Sequence, residues 1–172
     1  MLKKQRTTAE ALVALGDVLS AIDHDQRSEL DHAERVSLML HARELAGRVQ
    51  GLASLLTAEV ERKQSTMHTT GTPLTSMLAN AEKQGSREAS RSVFEARDLA
   101  NHPKVADAVL SGRTTTNHAR AIAKGMGELP HTLNGRQRGE AEQSFLRRAG
   151  TLTPDQLPKT APEVLAEVAP EQ

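Results

Sequence analysis

The chain has 172 residues, of which 22 are basic and 22 acidic, so its formal net charge is zero at neutral pH. It contains no cysteine, which excludes a disulfide framework, a thiolate zinc site and a cysteine nucleophile. Two phenylalanines, with no tryptophan or tyrosine, leave a core of aliphatic side chains and alanine, which favours closely packed helices over a sheet. The same scarcity argues against a single-stranded nucleic acid ligand, whose bases stack on aromatic side chains.

The composition and the N-terminus give no sign of a membrane protein or of a secreted one. No apolar run reaches the roughly 18–20 residues needed to span a bilayer. The basic start, MLKKQRTT, is followed by an amphipathic segment that Gly16 and Asp17 interrupt, which is not the pattern of a signal peptide. We therefore expect a cytoplasmic protein without a membrane partner.

The first predicted helix runs from Thr8 to about Ile22. Its apolar residues recur every three or four positions and so share one face of the helix: Leu12, Leu15, Val18 (or Leu19) and Ile22. Asp23-His24-Asp25 then breaks the pattern. No second cluster offers further metal ligands, so we interpret this trio as a polar loop and expect no metal and no cofactor.

A long helix is predicted from Asp31 to about Lys63, opened by a capping box between Asp31 and Glu34. Its apolar positions alternate spacings of four and three, which is a heptad pattern: Leu38, Ala42, Leu45, Val49, Leu52 and Leu56. Two interpretations stay open. The helix is either an internal spine, or Leu38, Leu45, Val49, Leu52 and Leu56 form an interaction seam with a second copy or another protein. Gly47 and Gly51, four residues apart, would permit close approach of a neighbouring helix.

After a polar surface connection at Gln64–Gly71, start and stop signals predict the first two of four short helices. Thr72 is expected to cap the first, with Pro73 at its first helical position. Gly85 should end it, and Ser86 should cap the second. Val93, Phe94 and Leu99 should supply the apolar face of that second helix. The pattern of these two helices and the turn between them is typical of a helix-turn-helix.

The third and fourth short helices follow the same signals. Pro103 opens the third and Gly112 ends it, while Thr114 or Thr115 caps a fourth that should fade at Gly125. His118 lies beside the apolar face of this last helix. We interpret it as a structural, hydrogen-bonded residue rather than a ligand or base.

Basic residues concentrate in this central region, where Ser86–Lys124 holds seven basic residues against four acidic ones, a net charge of +3. A recognition helix carries polar and basic side chains in its N-terminal half, where they reach base edges and phosphates. The candidate DNA-binding residues are Arg87, Ser90, Arg91, Arg113, Asn117, Arg120 and Lys124. The alternative is an ordinary exposed helix whose arginines form pairs such as Arg91–Glu95.

A further helix is predicted over about Leu133–Ala149, and a short one from Thr153-Pro154 through Leu157. Residues 1–157 should form a single helical domain. Residues 158–172 form a proline-rich, acidic tail that is either weakly ordered or docked through Val164, Leu165 and Val168.

The central region also resembles a known family. It carries, in order, Ser86-Arg-Glu-Ala89, Ala96-Arg-Asp-Leu99, Pro103, Val105, Ala108-Val109, Gly112-Arg-Thr-Thr, His118-Ala-Arg, Ile122-Ala and Leu129-Pro130. This set is similar to the domain of unknown function family 222, also called the 13E12 repeat family, of actinobacteria and their phages, and the likeness covers about Leu12 to Leu157. The resemblance implies an all-helical module that commonly precedes an HNH nuclease motif, but it supplies no catalytic residues. The shorter part over Gly112–Ala123 is also similar to the helical DNA-binding region of ParB-type partition proteins.

Of three classes of function, two remain. A self-sufficient enzyme is not expected, because the chain has no HNH motif, P-loop or nucleophile elbow, and no two histidines stand three or four residues apart. The sequence favours a non-catalytic module that binds double-stranded DNA, without a small-molecule substrate. The alternative is a module for homodimerisation or protein interaction that acts through the long helix.

Overall fold

A computed structural model describes residues 5–171 of the chain, and within that range every regular element is helical. The α-helices are α1 (Thr8–Ser20), α2 (His32–Arg62), α3 (Ser65–Thr70), α4 (Leu74–Ala81), α5 (Ser86–Ala100), α6 (Pro103–Leu110), α7 (Thr116–Gly127), α8 (Gly135–Arg148) and α9 (Ala161–Val168). Short 3-10 helices cover Asp25–Glu29 and Leu157–Thr160. The all-α fold predicted from the sequence is confirmed. No helix in the described range is long and apolar enough to cross a membrane.

The chain divides into two compact units, whose described residues are 5–41 and 42–171. The predicted division, one domain over residues 1–157 followed by a tail over residues 158–172, stays a prediction. The first unit contains α1 and the start of α2, and the second contains the rest of α2 and all later helices.

The described part of the N-terminal unit has well-formed helix starts but no buried residue. The Thr7 hydroxyl accepts from the Glu10 amide at 3.2 Å, and the Glu10 carboxylate accepts from the Thr7 amide at 2.9 Å, closing a capping box. The apolar side chains of the predicted face are exposed: Leu12, Leu15, Val18, Leu19 and Ile22. The predicted helix is therefore present, but a periodic apolar face indicates a helix without supplying the surface that covers it.

The start of α2 confirms the predicted capping box. The Glu34 amide donates to the Asp31 carboxylate at 2.8 Å, and the Asp31 amide donates to the Glu34 carboxylate at 3.0 Å. Further along, α2 packs closely on α6 at Gly51, where an added Cβ would lie 2.5 Å from Val109 Cγ1. The close approach expected of the two glycines therefore occurs at Gly51 alone, since a Cβ at Gly47 would meet nothing within 4 Å.

The heptad positions of α2 are not the face that α2 buries. Leu38, Leu45 and Val49 are exposed, whereas Leu52 and Leu56 are half-buried. The buried residues of α2 are instead Gly51 and Ala58, neither of which belongs to the seam. An internal spine thus describes only the C-terminal part of the helix.

The region between α2 and α5 corrects several local predictions. The segment expected to be a polar connection contains α3, and Pro73 is the N-cap of α4 rather than its first residue. The Thr72 hydroxyl donates to the Thr70 carbonyl and caps nothing. Between α4 and α5 the residue with positive φ is Lys83, at 51°, while Gly85 is the N-cap of α5 and Ser86 its first residue. The four short helices themselves are present as predicted.

The core of the C-terminal unit gathers side chains from α5 to α9. Phe145, Ile122, Leu157, Val105 and Val164 are among its largest completely buried hydrophobic residues. An added Cβ at Gly125 would lie 2.7 Å from Phe145 Cζ, so α7 and α8 touch through this glycine. Helix α7 does not fade at Gly125, where its end was predicted, but continues to Gly127. The tail is docked, because Ala161 and Val164 belong to the core cluster, and Leu165 and Val168 pack against it.

Candidate nucleic-acid interface

The exposed face of α5 carries the first group of predicted DNA-binding residues. Ala89, Val93, Ala96 and Leu99 are buried, and this spacing turns Arg87, Ser90 and Arg91 to the outside. Phe94 lies on the same outer face and is 58% exposed. Its predicted place in the apolar face is therefore wrong, because Val93 and Ala96 already occupy the positions that point inward.

Ion pairs around α5 differ from the sequence interpretation. Glu95 pairs with Arg120 of α7, with 2.9 Å between Glu95 Oε2 and Arg120 Nη2, and the predicted Arg91–Glu95 pair is not formed. Arg97 pairs with Glu61 of α2, and the hydrogen bond from Arg97 to Glu61 raises the pKa of Arg97. Two of the central arginines are therefore neutralised by contacts between helices.

The second group lies at the start of α7. The Thr115 hydroxyl caps the helix by accepting from the His118 amide at 3.2 Å. Asn117, Arg120 and Lys124 follow at spacings of three and four and are exposed. Arg120 also donates to the Asn117 side chain at 3.4 Å. Arg113, in the preceding turn, is exposed and donates to the Ser111 hydroxyl at 3.0 Å.

His118 has the structural role that the sequence suggested. Its Nε2 lies 3.0 Å from the Leu152 carbonyl and its Nδ1 lies 2.8 Å from the Thr115 hydroxyl. Since a carbonyl only accepts, Nε2 donates a hydrogen bond to the Leu152 carbonyl. The imidazole thereby ties the start of α7 to the segment after α8.

Two concavities bring part of the predicted set together. The first, of about 470 Å³, lies between α2, α4, α5 and α7, and its lining includes Arg91, Phe94 and Arg120. The second, of about 580 Å³, runs beside α7 and is lined by Asn117, Arg120, Ala121, Lys124, Glu128, Pro154, Asp155, Pro158 and Lys159. Because Arg120 lines both, the surface is continuous from Arg91 across Arg120 to Lys124.

The predicted residues outside these concavities are Arg87 and Ser90, which adjoin Arg91 on α5, and Arg113, which lies in the turn before α7. Two residues beside this predicted set were missed by the sequence analysis. Phe94 was assigned to the interior, and Lys159 lies in the tail, about 35 positions from Lys124, with no local pattern linking the two. We call Arg87, Ser90, Arg91, Arg113, Asn117, Arg120 and Lys124 the α5–α7 basic surface.

The model of a family described as a domain of unknown function (DUF222) matches residues 32–172. The chain belongs to the DUF222 family. The match begins at α2 and reaches the end of the chain, so the likeness expected over Leu12–Leu157 is shifted toward the C-terminus. No curated protein and no solved structure matches the chain.

The DUF222 match shows where the family domain begins in this chain, but it assigns the domain no function. It includes every helix that carries the α5–α7 basic surface, and it leaves out α1 and the 3-10 helix after it. In this DUF222 member the candidate interface therefore lies wholly within the family domain.

Proposed function

We propose that this DUF222 domain binds double-stranded DNA without catalysis, through the α5–α7 basic surface. The observation that supports the proposal is that four basic side chains of this surface have no carboxylate partner. Among the described residues, Arg87, Arg91, Arg113 and Lys124 are exposed and form no ion pair. They are available to phosphates, whereas Arg97 and Arg120 already have carboxylate partners.

The arrangement suits a duplex with the start of α5 near its groove. Arg87, Ser90 and Arg91 project from the first two turns of α5, and the N-terminal residues of a recognition helix are the ones that reach base edges. Arg113, Asn117 and Lys124 supply contacts to the backbone from the start and outer face of α7. Such contacts set position on the duplex, and side chains that reach base edges add sequence preference.

Single-stranded nucleic acid is a poorer match for the same surface. Of the two phenylalanines in the chain, Phe145 is completely buried and Phe94 is exposed. One aromatic ring offers a place for one base, whereas binding along a single strand relies on stacking of successive bases.

The family resemblance indicates the kind of protein in which such a DNA-binding domain occurs. Helical domains of this kind commonly precede an HNH nuclease motif, and the 172-residue sequence contains none. We infer that the domain directs a DNA-associated protein to its substrate and does not itself cleave it.

The test is binding to a mixed-sequence duplex at several salt concentrations. Four free cations should give a log–log slope of about −3 to −4, since each neutralised phosphate contributes about −0.9. The double variant Arg87→Glu with Arg91→Glu should lose binding at low salt, with an unchanged circular dichroism spectrum.

The matched control is Arg62→Glu with Lys63→Glu, which makes the same change in charge at two exposed residues that line neither concavity. It should retain most of the binding. If both double variants bind equally well, or if the parent chain does not bind DNA at low salt, the proposed function is wrong.

A further inference from the structure

An exposed aromatic ring lies among the candidate DNA-binding residues of α5. Phe94 is 58% exposed, which makes it the most exposed large hydrophobic side chain among the described residues of the C-terminal unit. The other phenylalanine of the chain, Phe145, is completely buried. The Phe94 ring also lines the first concavity, together with Arg91 and Arg120. It therefore belongs to the surroundings of the proposed interface and not to the core.

The helical period places Phe94 in the middle of the outer face of α5. At about 100° per residue, four outer residues fall within roughly 100° of the helix circumference: Arg87, Ser90, Arg91 and Phe94. Ala96, which is buried, lies about 160° from Phe94 around the same helix. A surface that contacts both Arg87 and Arg91 therefore also covers the Phe94 ring.

The distance along α5 fits the major groove of a duplex. Phe94 follows Arg87 by seven residues, which is about 10 Å at 1.5 Å per residue, and the major groove is about 12 Å wide. When Arg87 and Arg91 face the duplex, the Phe94 ring thus faces the edges of nearby bases. Asp98 is the next outer residue along the helix, and its charge repels phosphates, so the contact ends near Phe94.

The chemistry of the ring selects the group that it contacts. A benzene ring has no hydrogen-bond donor to offer a phosphate. In the major groove, the apolar group that a phenylalanine side chain contacts is the C5 methyl of thymine. We propose that Phe94 contacts this methyl group and gives the interface a preference for thymine. The inference rests on the proposed function, because it names the base group that is recognised beside the α5–α7 basic surface.

The contact of the ring differs from the contacts of the arginines in its response to salt. Arg87 and Arg91 neutralise phosphates, and their contribution to the affinity falls as the salt concentration rises. Contact between two apolar groups neutralises no phosphate and releases no counterion. The contribution of Phe94 to the affinity should therefore be the same at low and high salt.

The first experiment compares two duplexes that differ only in methyl groups. One is an alternating A·T duplex, which presents thymine wherever the protein lies, and the other has uracil in place of every thymine. The parent chain should bind the thymine duplex about fourfold more tightly, which is the effect of burying one methyl-sized group. This comparison uses the unaltered chain, so its result does not depend on how a variant folds.

The second experiment repeats the comparison with two variants. Phe94→Ala should abolish the difference between the two duplexes, while the circular dichroism spectrum and the log–log salt slope stay those of the parent. The helix should tolerate this change, because the side chain is exposed and alanine is a good helix former. Met67→Ala is the matched control, at a residue of α3 that is 49% exposed and lines neither concavity, and it should keep the preference for thymine.

Equal binding of the two duplexes by the parent overturns the inference, and so does a preference for thymine that Phe94→Ala retains. A contact with another protein then becomes the interpretation of the exposed ring. Neither result bears on the proposed function, which is tested by binding to the mixed-sequence duplex. If the parent binds no duplex at low salt, the proposed function is wrong and the inference fails with it.

Discussion

Residues 5–41 and residues 42–171 begin their helices with the same local signals but differ in what their apolar side chains contact. The capping box at Thr7 and Glu10 of α1 matches the one at Asn134 and Gln137 of α8 in type and closely in distances. Yet α8 buries Ala141 and Phe145 completely, and α1 buries no residue. The same capping signal thus begins one helix whose apolar side chains are buried and another whose apolar side chains are exposed.

The difference shows that helix capping depends on neighbouring residues, whereas burial depends on contacts with other helices. A cap satisfies backbone groups of its own helix within a few residues, so it forms whether or not the helix has a neighbour. Burial needs a second surface of matching shape. In the C-terminal unit the later helices supply that surface to one another, whereas in the described N-terminal unit the apolar residues face outward. Three predictions test this contrast, from the largest expected effect to the smallest.

Removing a buried ring should affect stability far more than removing an exposed side chain. Phe145→Ala should lower the free energy of unfolding by about 3–5 kcal/mol, because the ring is completely buried and leaves a cavity. Leu19→Ala, at a side chain that is 57% exposed, should change it by less than about 0.5 kcal/mol. Urea denaturation followed by circular dichroism measures both. A loss at Leu19 comparable to that at Phe145 would mean that α1 is packed in solution.

The point along α2 at which tight packing begins can be located with two glycines four residues apart. Gly51→Ala places a methyl group 2.5 Å from Val109 Cγ1 and should destabilise the protein by about 1–3 kcal/mol through overpacking. Gly47→Ala meets nothing within 4 Å and should stabilise it by about 0.5–1 kcal/mol, since alanine is the better helix former. Thermal unfolding of the two variants gives the comparison. Equal effects of either sign would contradict the close contact between α2 and α6 at Gly51.

The sequence predicted features that depend on neighbouring residues, and it failed for features that depend on contacts between distant parts of the chain. The limits of α2, α6 and α7 and the start of α5 were predicted to within two or three residues, because caps, proline and glycine act over a few residues. The turn before α5 was assigned to Gly85, although Lys83 takes the positive φ, since glycine preference is only a tendency. The burial of Val93 and the exposure of Phe94 depend on which helix lies alongside, and no local pattern distinguishes these neighbours.

Part of the candidate DNA-binding surface could likewise be predicted from the sequence. That Arg87, Ser90 and Arg91 share an outer face follows from the 3.6-residue period. That Glu95 pairs with Arg120 rather than Arg91 depends on how α5 and α7 pack. Lys159 lies beside Lys124 in the lining of the second concavity only because the tail docks on the core, so its position could not be deduced from its neighbours in sequence.

The smallest predicted effect concerns ion pairs, all of which lie in the C-terminal unit among the described residues. Glu167 of α9 accepts hydrogen bonds from Ser144 and Arg147 of α8, and Arg148 also lies near it. The hydrogen bond from Ser144, followed by the nearby arginines, holds the pKa of Glu167 below its usual range.

Because that pKa is lower in the folded protein than in the unfolded chain, the carboxylate stabilises the fold at pH values above its unfolded pKa. The stabilisation is lost as the pH falls through the folded pKa. Glu167→Gln should therefore be slightly less stable than the parent at neutral pH and equally stable in acid, and the effect should be small because the group is half exposed. Urea denaturation of both proteins at neutral and acid pH gives the comparison, with Glu10→Gln in α1 as the control for the unit without ion pairs. A difference at Glu167 that grows as the pH falls would mean that the carboxylate opposes the docking of α9 instead of supporting it.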